Sequence, residues 1–301
     1  MRKYFLTALL LGFATPLGAA EPPPVLVSIK PLHSLVASIM KGVGEPGLIV
    51  SGNASPHSYA LKPSDARALE RAKLVVWVGK DFETWLARSL SQRQDTIALQ
   101  GLPGLTRLAT REGGIWEAHD HGKHDHDHEE IDGHLWLDAD NAARLVDEVR
   151  ERLTTLDPAN ATAYTANAAA TKHRITEMDK DLKARLAPVA TASYVVFHDA
   201  HQYFEKRYGL TPAGAITVDP ERPPGAKRMA ALRDRLKTNG AACVFREPRF
   251  AGPTVEALAQ AAGARIGMLD PEGTLVEPGP DAYFTMMNGL GSALADCLSG
   301  H

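Results

Sequence analysis

The apolar positions of the chain fall into short runs and helical stripes that alternate almost from end to end. Residues 25–29 form a run the length of a buried strand, and Leu35, Val36, Ile39 and Met40 follow at helical spacing. Residues 47–50 predict a second strand, running into SGNASPHSY, whose Gly, Asn, Ser and Pro mark a loop. A helix over 62–72 with Pro63 in its first turn, a strand over 74–78 and a helix over 82–90 complete the first units. A further helix is predicted over 141 to about 156. Asp157-Pro158 then supplies a cap and a proline suited to a first helical position. From there to about residue 186 the chain is rich in Ala, Lys, Glu, Asp and Leu, without Gly or further Pro. This reads as one helix of about 45 Å, long enough to link two lobes. The alternation then restarts, with strands at 194–197, 214–218, 242–245 and 266–269 and helices at 202–208, 226–237, 254–262 and 282–298. Strand and helix in strict alternation predict an α/β fold on mainly parallel sheets. No sequence repeat is visible.

Length and charge narrow the class. A chain of 301 residues can bury two ordinary cores. It begins MRKYFLTALLLGFATPLGAA, which has the parts of a secretory signal: Arg2 and Lys3, a short apolar run, then Gly18, Ala19 and Ala20. The run is too short to span a bilayer comfortably, so cleavage after Ala20 and export are expected. Losing Arg2 and Lys3 moves the formal charge from −3 to −5. No basic cluster favours nucleic acid. Cys243 and Cys297 both survive that cleavage, and in an oxidising compartment a disulfide is the expectation. Two buried thiols are the alternative. A cysteine-held zinc is disfavoured because neither has a second cysteine close in sequence.

The candidate chemistry centres on EAHDHGKHDHDHEEIDGHLWLD, residues 117–138. His119, His121, His124, His126 and His128 alternate with acidic residues there. Such a run reports metal affinity only as a compositional tendency, and a solvated loop without function is the alternative. His134 then opens an apolar, strand-like segment. His57 follows a strand by a short loop, His198 ends the strand YVVF, and Asp270 ends RIGML and opens Asp-Pro-Glu-Gly. Ligands of open α/β sheets sit beyond the carboxyl ends of the strands, where three of these four lie. Three imidazoles and a carboxylate suit tetrahedral Zn²⁺, although strand-end His and Asp also cap helices and turns. His201, three residues after His198, is a further candidate for the same face. No His-Glu-x-x-His, Gly-x-Ser-x-Gly or phosphate loop is present. A full set of four protein ligands would also leave no open position for a catalytic water.

The segments SPHSYALKPSDARALERAKLVVWVG, the His/Asp tract before GHLWL, YVVFHDAHQYFEKRYGLTP, CVFREPRF and GMLDPEGT resemble the periplasmic zinc-binding proteins of bacterial zinc-uptake ABC transporters, the cluster A-I metal-binding family. The likeness runs from about Val25 to Cys297. It implies two Rossmann-like lobes, residues 21–156 and 188–301, joined by a linking helix at 157–187, with the metal in the cleft. It carries His57, His134 and His198 over as zinc ligands, offers Asp270 as the second lobe's carboxylate, and matches Cys243 and Cys297 to the family's disulfide. Manganese relatives place a glutamate where this chain has His198. Some zinc members have an acidic residue where this chain has Pro56, which leaves the fourth position to Asp270 or water. The expected function is zinc capture in the periplasm and delivery to a membrane permease, by a monomer that is not an enzyme. One helix between the lobes resists bending, so the expected opening motion is small. The alternatives are a manganese- or copper-loading protein of the same fold, an exported zinc hydrolase, and a zinc store whose whole function is the His tract.

Overall fold

Two four-stranded sheets with one shared topology carry the chain. The computed structural model describes residues 21–111 and 130–300, apart from 219, 222, 223, 240 and 251. The first sheet comes from β1 (Val25–Val27), α1 (Lys30–Met40), β2 (Gly47–Leu48), α2 (Pro63–Arg71), β3 (Leu74–Trp77), α3 (Thr84–Leu90) and β4 (Thr96–Ala98). Its strand order is β2-β1-β3-β4 and every pairing is parallel. A 3-10 turn at Leu135–Leu137, then α4 (Ala139–Leu156) and α5 (Ala161–Leu186), lead away from it. The second sheet uses β5 (Tyr194–His198), α6 (Gln202–Tyr208), β6 (Pro212–Thr217), α7 (Ala226–Asn239), β7 (Cys243–Arg246), α8 (Gly252–Ala262) and β8 (Arg265–Met268), before α9 (Ala282–Ser299). Its order is β6-β5-β7-β8, again parallel throughout. In each sheet the order reverses beside its first strand, which opens a crevice at the strands' carboxyl ends. The α/β expectation holds.

Three elements differ from the sequence expectation. Strand β4 was not predicted, because three residues with only Ile97 fully buried give no period to read. The long helix starts at Ala161 rather than at the proline, since Pro158–Asn160 closes a separate 3-10 turn. Its 26 residues then span about 39 Å at 1.5 Å per residue. The third is the segment after His134, a 3-10 turn instead of a strand. Asp138 follows it at once, and its carboxylate accepts the N–H groups of Asp140 and Asn141 to cap α4. That commits the chain to a helix start where a strand would have to continue.

Helix α5 unites the halves. Its buried residues Tyr164, Ala168, Thr171, Ile175, Met178, Leu182 and Leu186 recur every three or four positions, making one apolar stripe. The stripe packs against α1 and α4 from the first half and α9 from the second. A Cβ on Gly291 of α9 would lie 2.3 Å from Leu182 Cδ2, so any larger residue there would make the Leu182 side chain shift. Arg207 of α6 adds a polar tie, with ion pairs to Asp179 of α5 and to Asp138 at the head of α4. One hydrophobic cluster therefore runs from Val27 through Trp136 and Tyr164 to Tyr194 and Tyr283. A smaller one, with Val195, Ile216, Leu232, Val244 and Val255, lines the other side of the second sheet. Among the described residues no helix is long and apolar enough to cross a membrane.

Glu83 is fully buried just before α3 and accepts the N–H groups of Val78 at 2.7 Å and Gly79 at 3.3 Å. Burial pushes its carboxyl up to about 7, against the pull of those N–H groups. A raised acid favours the folded state below its unfolded pKa and loses that stability as pH rises through the folded value. Glu83→Gln should therefore match the wild type near pH 4.5 and become the more stable by pH 8, by about 3 kcal/mol. Denaturant melts of both proteins across that range measure it, and parallel curves would refute it.

Candidate metal centre

Three imidazoles from three separate segments meet between the sheets. The loop after β2 delivers His57. Its backbone N–H donates to Ser55 Oγ at 3.3 Å, and Trp85 Nε1 donates to the Pro56 carbonyl at 2.7 Å, so the turn is tied to α3. His198 is the last residue of β5, where the second sheet's order reverses, and it is wholly buried. His134 sits at the head of the Leu135–Leu137 turn, which is anchored across the cleft. Trp136 Nε1 donates to the Pro271 carbonyl at 2.9 Å, and the Tyr283 hydroxyl donates to the Trp136 carbonyl at 2.9 Å. Gly133 precedes it because a Cβ there would lie 2.5 Å from Phe82 Cδ2.

One donor atom from each of His57, His134 and His198 lies within 4.8 Å of the other two. His134 Nε2 and His198 Nε2 are 3.4 Å apart, and the three ring centroids are 5.3–5.5 Å from one another. Phe82 closes one side, with its centroid 4.8 Å from His57 and 5.2 Å from His134. Carboxylates set the ring orientations. His134 Nδ1 is 2.8 Å from Asp132 Oδ1, which also accepts the His134 N–H at 3.0 Å. His198 Nδ1 is 2.6 Å from Glu247 Oε1, across the switch point from β7. With each Nδ1 occupied, both Nε2 atoms are turned to the shared point, the arrangement that orients metal-binding imidazoles. Burial, reinforced by the neighbouring rings, drives His57 and His198 well below the usual imidazole pKa. Those two rings are therefore neutral near pH 7, as metal ligation by imidazole requires. Burial likewise raises Glu247 to about 8.

Asp270 is not brought into this group. Its Oδ1 accepts the Thr274 N–H and its Oδ2 the Leu275 N–H, both at 2.8 Å, so the side chain caps the turn it opens. The carboxylate facing the histidines is Glu272, two residues on. Its Oε1 lies 3.6 Å from His57 Nε2, while Oε2 pairs with Arg249. His201 is buried with neither ring nitrogen partnered, and its centroid is 6.5 Å from His198, outside the three-histidine group. His33 is buried within α1 and bonds the Pro46 carbonyl at 3.0 Å, and His173 is exposed on α5. His119, His121, His124, His126 and His128 lie outside the described residues. The tract's flanks meet in an antiparallel bridge between Ala109 and Ile131, beside Asp132 and His134. Cys243 and Cys297 form a disulfide.

Asp132, Glu247, Glu272 and Arg249 were not singled out from sequence. Asp132 was findable, since Asp-x-His lets a side chain bond backbone two residues on. Glu247 follows a strand end by the same rule that selected His198.

Two parallel α/β sheets bridged by a long helix, with three imidazoles converging between them, define a bilobed solute-binding architecture whose cleft can take a metal ion. The profile of the family described as "Zinc-uptake complex component A periplasmic" (ZnuA) matches residues 25–297. The chain belongs to that family. It is similar to the high-affinity zinc uptake system protein ZnuA of Brucella suis biovar 1, with 41% identity covering 98% of each chain. The protein of the same description from Yersinia pestis is 37% identical, over 98% of this chain and 97% of that one. A crystal structure of ZnuA superposes with a TM-score of 0.77 at 27% identity, covering 92% of this chain and 99% of that one. A zinc-bound ZnuA lacking its residues 138–173 gives 0.76 at 26% identity, over 93% of this chain and 99% of that one.

Proposed function

We propose that this chain captures Zn²⁺ in the periplasm and delivers it to the membrane permease of an ABC transporter, and that His57, His134 and His198 are its ligands. The observation that carries the reading is the convergence of three imidazole donors within 4.8 Å. Imidazole suits zinc, whereas manganese prefers harder oxygen donors. Copper(II) would bind such a set more tightly still, so metal availability contributes to the choice. The site holds and orients an ion and performs no reaction, and the chain works as a monomeric carrier rather than a catalyst. Residues 1–20 act as the cleaved export signal. The lobes are residues 21–156 and 188–301, with 157–187 as the linking segment. The His tract gathers zinc weakly, each imidazole losing its hold as pH falls below ~6.5.

Metal analysis of protein purified from the periplasm, with a calorimetric zinc titration, tests this. The expected result is zinc as the main bound metal, with one tight site and further weak ones. Deleting residues 118–130 should remove the weak sites and keep the tight one. Manganese as the native metal, or loss of the tight site with the tract, would refute the assignment.

A further inference from the structure

Resting on that zinc assignment, we infer that Glu272 supplies the fourth ligand through Oε1, and that Asp270 serves only to position the turn that carries it. A tetrahedral zinc with bonds of about 2.0–2.1 Å has ligand atoms about 3.3 Å apart. The 3.4 Å separation of His134 Nε2 and His198 Nε2 is one such edge. The 3.6 Å from His57 Nε2 to Glu272 Oε1 is a second. Both atoms of that second pair are buried without a hydrogen-bond partner, although Glu272 is only 8% exposed. Leaving a carboxylate oxygen and an imidazole nitrogen dry and unpaired costs about 1–3 kcal/mol per group. A divalent cation between them satisfies both at once.

The surroundings hold Glu272 ready. Lys30 of α1 crosses the cleft and donates to the carbonyls of Gly273, Thr274 and Val276 at 2.6–3.0 Å. Asp270 caps the same turn from within. The backbone is thereby fixed, and only side-chain rotation is left to Glu272. Its carboxylate is outside the group of donors that all lie within 4.8 Å, so it engages the His57 corner first and closes on the ion by rotating. A small pocket lined by Lys30, Ala54, Pro56, Arg249, Glu272 and Thr274 gives it room. Arg249 binds Oε2 and also donates to the Ala54 carbonyl in the loop that carries His57. The guanidinium thus ties the acidic arm to the His57 loop and offsets its charge while no ion is bound. Three imidazoles and one carboxylate then surround the ion, and the carboxylate's negative charge comes from the second lobe.

The test compares the full-length wild type with Glu272→Gln and Asp270→Asn, titrated with Zn²⁺ and then loaded with Co²⁺ for visible ligand-field spectra. Glu272→Gln should weaken zinc binding by at least the roughly 10–100-fold of a lost orienting partner, at unchanged stoichiometry, and shift the Co²⁺ spectrum. Asp270→Asn should keep the wild-type spectrum. Glu272→His removes the same carboxylate beside Arg249 but restores a metal donor, so it serves as a second probe, expected to hold zinc more tightly than Glu272→Gln, with a Co²⁺ spectrum of four nitrogen donors. Unchanged affinity and spectra in both Glu272 variants, or a spectral shift confined to Asp270→Asn, would overturn the inference and leave the zinc assignment standing. A wild type without a tight zinc site would overturn both.

Discussion

His198→Ala loses the tight zinc site. His198 is fully buried at the end of β5, and among the described residues no other histidine joins the group from that side of the cleft, since His201 lies outside it. Two nitrogen donors would remain on the ion. The loss in affinity should exceed the roughly 10–100-fold expected for removing only an orienting partner. Glu247→Gln supplies that lesser reference, because it keeps the imidazole and removes the carboxylate 2.6 Å behind it. Calorimetric titration of the three proteins should rank them wild type, Glu247→Gln, His198→Ala. Thermal melts without metal show whether each variant is folded. Retention of wild-type affinity by a folded His198→Ala protein would exclude the three-histidine site.

The second large effect is on stability. The disulfide joins Cys243 at the start of β7 to Cys297 near the end of α9, 54 residues apart in sequence. Closing a loop of that size removes unfolded-state entropy worth about 4 kcal/mol. Replacing both cysteines by alanine should lower the unfolding free energy by about that amount in denaturant melts. Zinc affinity should stay the same. The bridge lies at the amino end of β7, whereas Glu247 and His198 lie at the carboxyl ends of their strands, about 13 Å away along the sheet at 3.3 Å per residue. A double variant as stable as the oxidised wild type, or one with weakened zinc binding, would contradict this.

What could be read in advance follows from which interactions are local. Apart from β4, the strands and helices are legible because they are apolar runs with a period of their own, set off by polar, Gly or Pro boundaries. His57 and His198 stood out because a strand end in an open parallel sheet is a place of known chemistry. His134 was found as a residue but assigned to a strand. The apolar Leu-Trp-Leu is buried by contacts to Pro271 and Tyr283 from the far side of the molecule, which leave no mark on local periodicity. The carboxylates divide the same way. Asp270 was picked for its strand-end position, yet it satisfies the N–H groups of its own turn, the alternative that such positions always carry. Glu272 reaches the histidines because Lys30, more than two hundred positions earlier in the chain, holds its loop in place. A pairing made over that distance is a property of the folded molecule alone.

The continuous apolar interior through α5 bears on how cargo leaves. Wide opening of halves welded along one spine would expose the stripe from Tyr164 to Leu186 to water. At the rim two thin straps, the His57 turn and the Glu272 turn, are buckled together by Arg249. A docking membrane partner that plucked at either strap would loosen both while the body stayed rigid. The timing of transport would then belong to the receiver rather than to the carrier's own thermal motion.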